Sequence, residues 1–367
     1  MKKSVFYFIA FVVCIIGVAA FRPKLADVST RPLPAATAFQ SITALAFAPD
    51  GTLFIGDSKL ATVFAVKLKD VKAVKVAPAI NVKQVNAKIA AALGTDAVTI
   101  TDMAVNPISK ALYIAVQDPK SSTPVLLKLN GEKPELVKTE GLTITSVALN
   151  NAPAEDAKDQ RGRPIRMSTI SDLGFDDGKL LVSGLSNHEF SSSFKSIPYP
   201  FTDKQDESTL EIYHAAHGRY ETSAPIRTFT TGVINNKKYL IASYTCTPLV
   251  LFPMDELQPG KHVKGRTVAE MGSGNSPIDM LSLGTGSESF LLMANTKHPV
   301  AKVDYKNIAA FEGTLTDPVK GTAGVNFKAT PTVNVLQMDK LGDHQVLMMQ
   351  LQTNGDLDLV TSDDSSL

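Results

Sequence analysis

The sequence predicts an all-β chain, a β-propeller of six four-stranded blades with one short helix and one charged loop insertion. Three observations carry this. A strand–turn–strand phrase recurs along the chain, clearest at Thr169–Phe194, where Ile170, Leu173, Phe175, Leu180 and Val182 flank the turn dipeptide Asp177-Gly178. The first apolar residues of the units, Ile42, Ile100, Ile170, Ile226, Ile278 and Val333, recur about every 55 residues, with one longer interval between Ile100 and Ile170. Each unit supplies a small sheet with two apolar faces, which is buried only by stacking the sheets around an axis.

Taken in order, residues 1–20 read as a signal peptide. Lys2 and Lys3 precede the uncharged, largely apolar run Ser4–Ala20, which closes on Val18-Ala19-Ala20. The expectation is cleavage after Ala20 and an exported chain, periplasmic or secreted, with no stable membrane span. The alternative is an uncleaved anchor, since a run of about 17 residues reaches the lower spanning limit. Residues 21–40 are rich in Pro and Ala and are expected to close the ring by supplying a last outer strand. The propeller domain then occupies residues 41–367.

Within it, the first unit holds the Pro49-Asp50-Gly51 turn. Residues 85–94 (VNAKIAAALG) predict a helix on the rim, capped by Asn86 and stopped by Gly94. Ile144–Asn150 is read as the outer strand of the second blade or as a truncated seventh blade. The charged insertion at 152–168 reads as a solvated loop or a lid. The glycines of Met271–Asp279 (MGSGNSPID) precede another β unit and open no helix, so they predict a blade-to-blade turn and not a nucleotide loop.

The units resemble six-bladed propellers of the NHL and gluconolactonase-like kind, in which an apolar-Pro-Asp-Gly-apolar hairpin recurs. Pro49-Asp50-Gly51 carries that signature, with Asp177-Gly178 and Asn354-Gly355 in its place elsewhere. The resemblance implies the architecture over residues 41–362. The metal-binding acidic and Asn residues of the lactonase-type enzymes match no motif here, so no catalytic residue is implied.

The 367-residue chain carries a formal charge of +1 and no Trp, a balance that does not point to nucleic acid. Aligned at the start of the innermost strands, the units give a column of Ala44, Asp102, Asp172, Arg227, Asp279 and Asn334. Around an axial channel these would place carboxylates, a guanidinium and an amide at its mouth. They would hold a divalent cation or a ligand, or hydrogen-bond the backbones of neighbouring blades. A second column follows the second strand of each blade: Asp57 and Ser58, Gln117 and Asp118, Asn187, His188 and Glu189, Thr245 and Cys246, Asn295 and His298. Its His, Glu and Cys members are ligand types for zinc or copper, and the two columns are expected to meet on one face. His214 and His217, three apart, would share one face of a helix but split across opposite faces of an outer strand, and are read as surface residues. Met348 and Met349 read as core.

The function expected is an exported binding or scaffold protein that grips a small ligand or an exported protein partner with one face. The alternative is a metal-dependent lactonase or hydrolase with its divalent cation at the channel mouth.

Overall fold

The computed structural model describes residues 28–29, 39–69 and 71–367. The signal-peptide reading of residues 1–20 lies outside them, as does most of the 21–40 segment. Among the described residues no helix is long and apolar enough to cross a membrane.

Six sheets, antiparallel except for the parallel pairing of His262–Lys264 with Asp206–His214, are arranged around an axis. Blade 1 runs outward from Ala44–Phe47 through Thr52–Asp57 and Thr62–Lys67. Blade 2 comprises Thr99–Val105, Leu112–Gln117, Pro124–Asn130 and Lys133–Leu136. Blade 3 comprises Asp172–Asp176, Lys179–Leu185, Ser192–Pro198 and Asp206–His214. Blade 4 comprises Thr228–Ile234, Lys237–Ser243, Pro248–Pro253 and Arg266–Met271. Blade 5 comprises Pro277–Leu283, Phe290–Asn295, Ala301–Asp304 and Lys328–Ala329, and blade 6 comprises Val335–Gly342, Gln345–Leu351 and Leu357–Asp363.

Turn chemistry sets the hairpins. Asp177 and Gly178 both take positive φ (50° and 70°), as a two-residue turn between Asp176 and Lys179 requires. Asn235 and Asn236 do the same in blade 4, at 48° and 60°.

Thr143–Ala148 settles the strand read from Ile144–Asn150. It pairs with Thr62–Lys67 and is the outer strand of blade 1, neither part of blade 2 nor a seventh blade. Val28–Ser29 pairs with it in turn and extends the same sheet. Blade 2 is thus inserted between the third and fourth strands of blade 1, which explains the long interval between Ile100 and Ile170.

The insertion changes the order of blades around the ring to 1–2–6–5–4–3. Six clusters of buried apolar residues fill the six seams. Leu45, Phe64 and Tyr113 join blades 1 and 2, and Met103, Leu112, Leu347 and Leu359 join blades 2 and 6. Ala44, Phe54, Leu173 and Val182 join blades 1 and 3. The remaining clusters join 3 to 4, 4 to 5 and 5 to 6. Full burial of one such side chain stabilises by about 1.5–3 kcal/mol, so each seam is a core of its own.

The segment leading into blade 2 covers the open edge of blade 6. Val82 and Leu359 exchange both backbone hydrogen bonds, at 2.9 and 2.8 Å. Ile80 N–H donates to Thr361 Oγ1 at 2.8 Å, and Leu357 N–H donates to Asn86 Oδ1 at 2.9 Å. The helix follows, α1 (Val85–Leu93), ended by Gly94 in the left-handed region (φ 68°). Asn86 is not its cap; the N-cap position is Gln84. Nor is α1 mere decoration, since Val85 and Ile89 are fully buried in the core between blades 2 and 6. A second helix, α2 (Tyr305–Ala310), follows the third strand of blade 5.

Candidate functional site

The inner strands carry four aspartates around the axis: Asp102, Asp172, Asp279 and Asp339. Each accepts two backbone N–H groups. Oδ1 accepts from the following residue, at 2.7 Å for Met103, 2.8 Å for Leu173, 2.7 Å for Met280 and 2.6 Å for Lys340. Oδ2 reaches the inner strand of the next blade. The donors are Leu45 N–H to Asp102 (2.6 Å), Phe229 N–H to Asp172 (2.9 Å), Met338 N–H to Asp279 (2.6 Å) and Val105 N–H to Asp339 (2.6 Å). These are latches across four of the six seams. The seam between blades 1 and 3, where the column has Ala44, is tied instead through Ser58, whose hydroxyl donates to Ile170 O and accepts from Ile170 N–H.

Burial pushes the Asp102 and Asp279 carboxyls well above the usual range. The backbone N–H groups oppose this, and the charges of the other aspartates add to it. Burial likewise raises Asp172 to about 7 against the N–H groups of Phe229 and Leu173 and the Thr228 hydroxyl. Asp339 rises to about 6, with Val105, Lys340 and the Lys110 charge opposing.

The aspartates line an axial cavity of about 440 Å³ that extends to Pro107, Lys110 and Asp343 in the turns between first and second strands. Phe47, Phe175 and Lys340 also line it.

Of the first column, Asp102, Asp172 and Asp279 are on this wall. Arg227 and Asn334 are not. Arg227 is exposed and precedes its strand by one residue; its neighbour Thr228 pairs with Ser243 as Asp172 pairs with Ser183. A slip of one residue turns a strand side chain to the other face. Asn334 is exposed at φ 57° before the inner strand of blade 6 begins. In that blade a bulge between Val335 and Gln337 shifts the register, and Asp339 takes the acidic place.

None of the second column lines the axial cavity, so the two columns do not meet. The second-to-third-strand turns lie at the opposite ends of the strands from Lys110 and Asp343. Asn187, His188 and Glu189 are exposed, with His188 Nε2 3.5 Å from Glu207 Oε2. Asn295 is buried, and its amide donates to Met293 O and Pro299 O. His298 lines a small cavity of about 140 Å³ with Met271 and Phe327.

Among the described residues, Cys246 is the member of that column that joins two other ligand-type side chains. His214, His217 and Cys246 place one donor atom each within 4.8 Å of one another, and this group could hold a metal. The arrangement corrects the surface reading of His214 and bears it out for His217, which nonetheless joins the group. The strand Asp206–His214 ends at His214, the chain turns through Ala215–Gly218, and Arg219–Glu221 returns antiparallel. The turn brings the imidazole rings to 3.9 Å between centroids. His214 is 1% exposed, while His217 lies at the surface.

Glu221, which sequence reasoning missed, binds both rings: Oε2 is 3.0 Å from His214 Nδ1 and Oε1 is 2.7 Å from His217 Nδ1. Burial would raise its carboxyl, but the hydrogen bonds and charges of the two histidines outweigh that and bring it to about 2. Cys246 Sγ is 3.7 Å from His217 Nε2. Glu270, also missed, is fully buried and faces the same turn from blade 4, where Oε1 accepts from Ala216 N–H at 3.2 Å.

The fold and these sites define the chain as a six-bladed β-propeller. No family model matches it, and no curated protein does. Solved structures do. A protein of Thermus thermophilus described as a putative oxidoreductase (glucose dehydrogenase) is similar over 92% of this chain and 100% of its own, at 11% identity and a TM-score of 0.35. The PQQ-bound aldose sugar dehydrogenase of Streptomyces coelicolor is similar over 93% and 99%, at 13% identity and a TM-score of 0.31. The Cps50 (Swd1) propeller domain of Myceliophthora thermophila is similar over 87% and 82%, at 12% identity and a TM-score of 0.39.

Proposed function

We propose that the chain is an exported binding protein that takes a small polar ligand into its axial cavity from the side of the first-to-second-strand turns. The observation that supports this is the cavity itself, about 440 Å³, walled by latched aspartates and rimmed by Phe47, Phe175, Lys110 and Lys340. A concave site with apolar surface and a few convergent polar groups is where small ligands bind. The latches make the wall rigid, so little ordering opposes binding. Recognition then falls to the rim, with aromatic faces and ammonium groups on one side and carboxylate oxygens below.

The cation at the channel mouth is the weaker reading. Each aspartate oxygen already accepts a backbone N–H, and the side chains that gather donor atoms within 4.8 Å are His214, His217 and Cys246. Export rests on the Lys2–Ala20 pattern, and an exported protein partner on the same face is the competing outcome.

The test is a thermal-shift screen of small polar metabolites with the purified chain. A ligand at a hundredfold its Kd is expected to stabilise by about 2.7 kcal/mol, and Phe175→Ala and Lys340→Ala should each weaken that shift. The proposal fails if no compound stabilises, or if the shift is unchanged in both variants.

A further inference from the structure

We propose that His214, His217 and Cys246 form a centre of two imidazole nitrogens and one thiolate for a borderline-to-soft transition metal, Zn2+ or Cu+. It lies between the outer hairpin of blade 3 and the adjacent turn of blade 4, and it is independent of the axial cavity.

Two imidazoles and one thiolate suit zinc and copper, whereas magnesium and calcium require oxygen ligands. Their orientation suits a metal as well. Glu221 accepts from Nδ1 of both histidines, which fixes their tautomers and leaves both Nε2 lone pairs for a metal. A carboxylate behind a ligating histidine is the usual outer partner of such a site. Nε2 of His214 is buried and has no hydrogen-bond partner among the described residues. An unpaired buried polar atom costs about 1–3 kcal/mol, and a bound metal would satisfy it. Glu270 Oε2 on the blade 4 side is also buried without a partner among the described residues, beside the turn that carries His217.

The turn that carries the thiol is strained in a way that points to the same conclusion. Cys246 and Thr247 both sit in the left-handed region, at φ 69° and 59°, where a β-branched residue is an outlier. The turn is held there by neighbours: Cys246 N–H donates to Asn275 O at 2.7 Å and Thr247 Oγ1 donates to Gly272 O at 3.0 Å. Strain of this kind, about 1–3 kcal/mol per residue, gathers at functional sites. Here it fixes the thiol beside His217.

The experiment is titration of the metal-free full chain with Zn2+ in one arm and Cu+ in the other, read by calorimetry and by elemental analysis after desalting. At least one of the two ions is expected to bind at one per chain. Glu221→Gln should weaken binding roughly 10–100-fold, and Cys246→Ser and His217→Ala should weaken it more. His217 is exposed and Cys246 half-buried, so both variants should fold, which unchanged melting without metal would verify. With Co2+ as a probe, a thiolate-to-cobalt charge-transfer band should appear in the natural chain and vanish in Cys246→Ser. Failure of both ions to saturate at one per chain would overturn the proposal, as would wild-type binding by Cys246→Ser.

Discussion

Each axial aspartate joins two strands through one carboxyl group, so its loss leaves two inner-strand N–H groups without a partner. Asp102→Ala frees the N–H groups of Leu45 and Met103. At about 1–3 kcal/mol for each unsatisfied buried group, urea unfolding should show a loss of at least that size. Asp172 also makes stability depend on pH. Its folded pKa is raised to about 7 by burial, against about 3.9 for a free carboxyl. The folded state therefore holds the proton more tightly. That contribution is complete below about pH 4 and is lost as pH rises through about 7. Asp172→Asn cannot ionise, so between pH 5 and 8 the natural chain should lose more stability than this variant; parallel losses would contradict the assignment. Three of the four aspartates were legible as a repeat column. Asp339 was not, because a bulge displaces it from the repeat phase, and Arg227 was included because the strand start was misplaced by one residue.

At the scale of elements, the turns were readable and the partners of outer strands were not. Asp177-Gly178 announces its own geometry, since both residues must take positive φ. Nothing local in Ile144–Asn150 says that it pairs with Thr62–Lys67 across an entire inserted blade. The same limit hid the candidate metal group. A spacing of three separates His214 and His217 on a strand, but the strand ends at His214 and the turn reverses the geometry. The strap at residues 80–86 is the element whose removal is most informative. Val82→Pro removes the N–H that binds Leu359 O. Hydrogen exchange should then quicken selectively along Leu357–Asp363, with the inner strands of blades 3 and 4 still protected. Uniform exchange across all blades would show that the strap does not act as the outer cover of blade 6.

For the whole molecule, blade 2, inserted into blade 1, lies between blades 1 and 6, and the ring is closed there by packing, by the Asp102 and Asp339 latches and by the strap. Six-bladed architecture was legible because the repeat interval holds in every unit but the one that carries the displaced outer strand of blade 1. The order of blades was not, because a repeat interval carries no record of spatial neighbours. The chemistry divides accordingly: carboxylates around the axis hold the ring, and the candidate metal ligands His214, His217 and Cys246 stand away from the axis, between the outer hairpin of blade 3 and a turn of blade 4. The most direct test is the metal content of the natural chain, Asp172→Asn and Cys246→Ser, each loaded with Zn2+ or, separately, with Cu+ and desalted. For at least one of the two ions, about one per chain is expected in the first two and none in the third. Metal lost from Asp172→Asn but retained by Cys246→Ser would contradict this division and return the cation to the axis.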